Sequence, residues 1–117
     1  MPQYMLLLRD QGKRAWAPDE MQGVIQRYGA WRDKLQAEGR MLGGNKLHDG
    51  EGRVLRKNGD AAITVMDGPF AETKEILAGF FLITADSYDD AVALTHDCPH
   101  YDFGSIEVRQ VEETRRP

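Results

Sequence analysis

The 117-residue sequence predicts an α+β fold of the ferredoxin-like type, a βαββαβ sandwich with an extra strand or hairpin, on three observations. Several short apolar runs have the length of strands. Two segments with helical spacing each stand between such runs. Asn58-Gly59, a hairpin turn signal, sits between two further β-rich stretches. Read along the chain, the order is β-α-β-(hairpin)-β-α-β, which places two helices on one face of an antiparallel sheet.

Each element has its own justification. Tyr4-Met5-Leu6-Leu7-Leu8 is a continuous apolar run closed by Arg9-Asp10-Gln11-Gly12, the pattern of a buried strand. Pro18 with Asp19 and Glu20 opens a helix, because proline fits the first turn and the two acids oppose the positive end of the helix dipole. Met21, Val24, Ile25, Tyr28, Trp31 and Leu35 then fall within an arc of roughly 120°, predicting one core face, and Gly39 supplies the stop. Arg40 to Leu47 reads as a strand loosened by Gly43-Gly44. Arg53 to Arg56 and Ala61 to Met66 flank Asn58-Gly59, and Asp67-Gly68-Pro69 ends the second of them. Gly79 to Ala85 is another β-rich run. Ser87 with Asp90 resembles a capping box for a short helix that Pro99 stops. Ser105 to Val111 alternates as a half-exposed strand, and Glu112 to Pro117 is expected to fray.

Size and composition bound the rest. A chain of 13.2 kDa suits one domain over residues 1–117 that buries about two-thirds of its extended surface. Two helices leave the second face of the sheet uncovered, so a homodimer packed sheet to sheet is expected. The net charge of −4 and the absence of clustered Lys and Arg argue against a nucleic-acid partner. Residues 78–117 carry three basic and eight acidic groups and hold most of the acidity. No apolar run is long enough to span a bilayer, which argues against a membrane partner. The sequence starts without a basic n-region and has a single cysteine, Cys98, so a cytoplasmic location is expected.

Residues 67–75, Asp67-Gly68-Pro69-Phe70-Ala71-Glu72-Thr73-Lys74-Glu75, form the densest candidate for function. Gly68 and Pro69 set a bend, Phe70 offers an apolar wall, and Asp67 and Lys74 present opposite charges at a sheet end. Asp67 is the best general-base candidate, with Tyr28 as a hydroxyl donor and Phe70, Lys74 and His48 as ligand-binding residues. The plainer reading is a structural loop with solvated charges, with His48 exposed beside Asp49 and Tyr28 packed in the core. His96, Cys98 and His100 have metal-binding chemistry, but Pro99 breaks the helix that would align them, so neither metal nor other cofactor is expected.

The Asp67–Glu75 string resembles the DGPF branch of the YCII-related family. Tyr4-Met5-Leu6-Leu7, Gly43-Gly44, Gly79-Phe80-Phe81-Leu82-Ile83, Cys98-Pro99 and Gly104-Ser105-Ile106-Glu107-Val108-Arg109 agree with it. The resemblance implies a ferredoxin-like fold dimerised into a shared α+β barrel. It also implies kinship with small cofactor-free isomerases and dehydrochlorinases, for which a His–Asp pair is proposed as the active site. The family histidine falls near Tyr28, so this chain lacks that dyad, and Gln110 stands where the branch usually has proline. Members of the branch are associated with extracytoplasmic-function sigma factors. Two functions follow as expectations: a small-molecule site of isomerase or lyase type, or a non-catalytic ligand- or protein-binding accessory module in a sigma-factor pathway.

Overall fold

The computed structural model describes residues 1–12, 16–69 and 75–114. Its elements are β1 (Gln3–Asp10), α1 (Pro18–Ala37), β2 (Met41–Lys46), β3 (Arg53–Arg56), β4 (Thr64–Asp67), β5 (Ile76–Thr84), α2 (Tyr88–Leu94), a 3-10 turn (Pro99–Asp102) and β6 (Ser105–Gln110). Four strands form an antiparallel sheet in the order β2-β5-β1-β6, and β3 and β4 form a separate two-stranded sheet. Each helix thus crosses over one intervening strand: α1 carries the chain from β1 past β5 to β2, and α2 carries it from β5 past β1 to β6. This is the ferredoxin-like arrangement predicted from the order of elements, with the hairpin inserted between its two halves.

Alternation along β1 shows which face the helices cover. Tyr4, Leu6 and Leu8 are buried, while Met5 and Leu7 between them are only half-buried. On β5, Phe81 and Ile83 are buried and Phe80 and Leu82 are half-buried. The buried set meets Trp31 and Leu35 of α1, Ala91 of α2 and Cys98 in one core. Trp31 lies edge-on to Phe81 at 5.0 Å and donates its indole N–H to the Leu94 carbonyl at 3.0 Å, so the largest core residue leaves no polar group unpaired. Gly44 permits the tight approach of β2 to β5, since a Cβ there would lie 2.4 Å from the Phe81 ring and 2.5 Å from the Phe80 carbonyl.

The predicted core face of α1 is buried only in its second half. Met21 is exposed and Ile25 is 61% exposed, whereas Trp31 and Leu35 are buried. A 20-residue helix is about 30 Å long and a six-residue strand about 20 Å, so α1 outruns β2 and its first turns extend past the core. The hairpin also differs in detail. Its ladder starts at Arg56 opposite Thr64, because the Ala61 N–H is drawn into a turn on the Asn58 carbonyl at 3.0 Å. Of the tail expected to fray, residues 112–114 are irregular and residues 115–117 lie outside the described set. No helix among the described residues is long and apolar enough to cross a membrane.

Ser87 caps α2 as predicted, accepting the Asp90 N–H at 3.1 Å. The Asp90 carboxylate accepts the Asp86 N–H at 2.8 Å and pairs with Arg40 at 2.7 Å, joining α2 to the entry of β2. The Asp86 N–H first, and then the Arg40 guanidinium, hold the Asp90 carboxyl below the usual carboxylate range. A carboxyl whose folded value is depressed stabilises the fold above its unfolded value and loses that contribution as pH falls through the folded one. Asp90→Asn is therefore expected to lower the urea midpoint at neutral pH, with the difference from the parent shrinking as the pH is taken below about 4.

Candidate functional site

Where the hairpin leaves the sheet, the chain forms an open groove of about 750 Å³. Leu47, Val54, Leu55, Pro69 and Leu77 supply apolar lining, and His48, Glu51 and Arg53 supply the ionisable groups. Two backbone hydrogen bonds hold its walls together. The Leu47 N–H donates to the Ala78 carbonyl at 2.8 Å, tying the end of β2 to β5, and the Gly68 N–H donates to the Gly52 carbonyl at 2.9 Å, tying the 67–69 turn to the start of β3. Gly68 packs closely there, since a Cβ would lie 3.3 Å from the Gly52 carbonyl carbon and the Val54 side chain. The Gly68–Pro69 peptide bond is cis.

The groove opens on the sheet face that neither α1 nor α2 covers. Arg9 pairs with Leu77 across the β1–β5 ladder, beyond a bulge that follows Leu8. The Arg9 side chain reaches Glu107 at 3.3 Å, and Glu107 in turn lies opposite Leu7 on the uncovered face. Paired residues of an antiparallel ladder share a face, so Leu77 projects from the uncovered side too.

The sequence candidates fall into separate places. His48 lines the groove, is exposed, and has its Nδ1 3.5 Å from Glu51. Asp67 adjoins the groove through Arg53 at 3.6 Å, but its side chain is 95% exposed. Phe70 and Lys74 lie outside the described residues. Tyr28 belongs to another cluster, where its hydroxyl is 2.8 Å from His100 Nδ1 and its ring stacks near Phe103 at 6.3 Å. The other imidazole nitrogen of His100, Nε2, is 2.9 Å from the Arg9 carbonyl. A carbonyl only accepts, so Nε2 carries the proton, Nδ1 accepts, and the Tyr28 hydroxyl donates to it. Both nitrogens of the buried imidazole are thereby paired. Sequence spacing had no means of pairing residues 28 and 100, nor Trp16 with Phe103, whose rings meet edge-on at 5.3 Å.

The His96-Cys98-His100 segment is spread over different environments. His96 is exposed, and His100 has both nitrogens engaged. Burial pushes the Cys98 thiol up to about 11. Among the described residues, no group of three or more His, Cys, Asp or Glu is placed to hold a metal ion.

Comparison with known proteins matches residues 2–115 to the family described as the YCII-related domain. An uncharacterised protein of Rhizobium meliloti (strain 1021) is 34% identical over 97 residues, covering 81% of this chain and 78% of that protein. A solved structure, the 5-chloro-2-hydroxyhydroquinone dehydrochlorinase of Burkholderia phenoliruptrix AC1100 in complex with 2,5-dihydroxybenzoquinone, is 16% identical. Its TM-score is 0.49, with 96% of this chain and 95% of that chain covered.

Two outcomes follow from these clusters. Tyr28→Phe leaves the buried His100 Nδ1 without its donor and is expected to cost about 1–3 kcal/mol in chemical denaturation. Cys98 is expected to stay unreactive toward an aromatic disulfide reagent at about pH 8 until the protein is denatured, because only the thiolate attacks.

Proposed function

The chain belongs to the YCII-related domain family, and we propose that it acts as a homodimeric α+β barrel binding a small molecule in the groove beside the 67–69 turn. The observation that carries this reading is an apolar trough opening onto a sheet face without a cover. A second copy stacked on that face would roof the trough and turn it into an enclosed pocket. Enclosed apolar pockets with a few convergent polar groups are the usual form of small-molecule sites.

In this reading Leu47, Val54 and Leu77 receive the apolar body of the ligand, and Arg53 attracts an anionic group. Phe70 and Lys74, which follow in the sequence, are assigned to ligand binding by their chemistry alone, an aromatic ring and a cation. His48 and Asp67 are the groups at the rim able to move a proton, with Asp67 as base, in a cofactor-free reaction of the isomerase or lyase kind. Tyr28 contributes as a positioning residue: through His100 it holds the Arg9 carbonyl, and Arg9 is the ladder partner of Leu77. The string from Asp67 to Glu75 further assigns the chain to the DGPF-type branch.

One observation favours a second reading. The Asp67 side chain is 95% exposed, so the described residues do not enclose it as a catalytic base at a bound substrate would be enclosed. A non-catalytic ligand- or protein-binding accessory module, acting with an extracytoplasmic-function sigma factor, needs no such enclosure.

Light scattering at micromolar concentration is expected to return about twice the 13.2 kDa chain mass, and a monodisperse monomer would remove the roof of the pocket and the first reading with it. Thermal-shift screening of small aromatic and carboxylate compounds then supplies a ligand. Leu77→Asp should weaken its binding by at least ~10-fold, about 1.4 kcal/mol. Asp67→Asn separates the two readings: turnover lost with binding kept marks an enzyme, and unchanged binding with no turnover in the parent marks the accessory module.

A further inference from the structure

We propose that the β3–β4 hairpin is an exchanged arm, which in the dimer packs on the second copy and closes the open side of that copy's groove. This rests on the dimeric reading above.

The ladder places Val54 opposite Met66 and Leu55 opposite Val65. Successive strand residues point to opposite faces, so the hairpin carries one apolar pair on each face. A hairpin seated on its own chain buries one face and shows a polar one. Here the described residues cover neither face: Leu55, Val65 and Met66, with Ile63 in the connection, are 51–60% exposed. Val54 alone of the four ladder positions at the centre is half-buried, at the groove. An isolated two-stranded hairpin in water is marginal at best, so an arm of this composition requires cover from outside its own chain.

The size of the unmet surface identifies what kind of cover. The accessible surface is 8426 Å², against roughly 6,400 Å² for a compact chain of this mass. The radius of gyration is 16.6 Å, against roughly 13.4 Å for a compact chain of this length. The excess of roughly 2,000 Å² per chain exceeds the ~800 Å² that each partner buries in a standard interface and fits a permanent homodimer.

A second copy is the occupant because this chain carries both halves of the contact. It has the arm, and it has the uncovered sheet face with Met5, Leu7, Phe80 and Leu82. One two-fold operation that stacks the two sheet faces also brings each arm against the edge of the other copy's face. A foreign partner on the arm would leave the sheet face bare. The receiving face ends at Leu77, so an arm laid there brings the Leu55–Val65 pair to the open side of the partner's groove.

Hydrogen exchange read by mass spectrometry on the full chain tests the arm, at concentrations above and below the dimer's dissociation constant fixed by light scattering. Amides of residues 53–67 are expected to be protected in the dimer and to lose that protection in step with dissociation. The double variant L55E/V65E is expected to weaken dimerisation at least ~10-fold while far-UV circular dichroism stays that of the parent, since neither side chain belongs to the core. A dimer whose 53–67 amides exchange as fast as in the monomer, or one that L55E/V65E leaves intact, overturns the arm and leaves the dimeric reading standing. Protection that persists in the monomer also overturns it, because the cover is then the chain's own. A monomer at every concentration overturns both.

Discussion

Two helices can roof only one face of a four-stranded sheet, and the rest of this molecule is arranged around that limit. The alternation in β1 records it residue by residue: Tyr4, Leu6 and Leu8 enter the core, while Met5 and Leu7, equally apolar, face outward. At about 25 cal/mol per Å², apolar side chains left in water are a standing driving force for association. The groove and the hairpin lie at the border of the uncovered face. Their open sides have the same origin as that of the sheet, since neither helix lies over them.

His100 holds the end of the sheet where this border lies. Its two nitrogens join α1, through the Tyr28 hydroxyl, to β1, through the Arg9 carbonyl. The 3-10 turn that carries it can press so close only because residue 104 is glycine: a Cβ there would stand 1.9 Å from the same Arg9 carbonyl oxygen. Arg9 is thus fixed from behind by a buried imidazole, while its side chain reaches forward to Glu107 on the open face. Beyond the bulge its ladder partner is Leu77, the groove residue contributed by β5. Tyr28 is consequently tied to the groove through the backbone of β1, without its hydroxyl being offered to a ligand.

Local chemistry was legible in the sequence, and long-range pairing was not. The Pro18 start of α1, the Ser87 cap of α2 and the order of elements each depend on residues close together in the chain, and each is found in the structure. From that order the sheet topology followed, because crossover helices leave few ways to interleave two βαβ halves. Periodicity misjudged Met21 and Ile25, since spacing around a helix says which side a residue is on but not whether anything lies opposite. His48 and Pro69 stand out in the sequence by residue type, one as a ligand-binding candidate and one as part of a bend. Their meeting with Leu47, Val54 and Leu77 depends on how the hairpin leaves the sheet, which no local pattern encodes. The partnership of Tyr28 with His100 was likewise hidden, because each residue had a sufficient local explanation as core aromatic or helix-end histidine.

The charge distribution bears on which faces two copies can bring together. A chain of net charge −4 is repelled by its own copy unless the meeting surfaces are themselves balanced. The acidic groups of the last third gather on the helical side: Asp86, Asp89, Asp90, Asp97 and Asp102 lie on or beside α2 and the 3-10 turn, and Arg40, Lys34 and Arg27 pair with three of the five, Asp90, Asp97 and Asp102. On the opposite side, Glu107 lies between Arg9 and Arg109, and Asp67 is matched by Arg53 on the hairpin. Among the described residues the excess of acids thus lies on the covered side, while acids and bases on the open face and the arm are close to balance. Apolar surface brought together under a balanced rim gains burial without electrostatic opposition, whereas helix-to-helix contact would set one acidic face against another. The uncovered sheet face and the hairpin are therefore the surfaces through which this acidic chain can most readily meet itself.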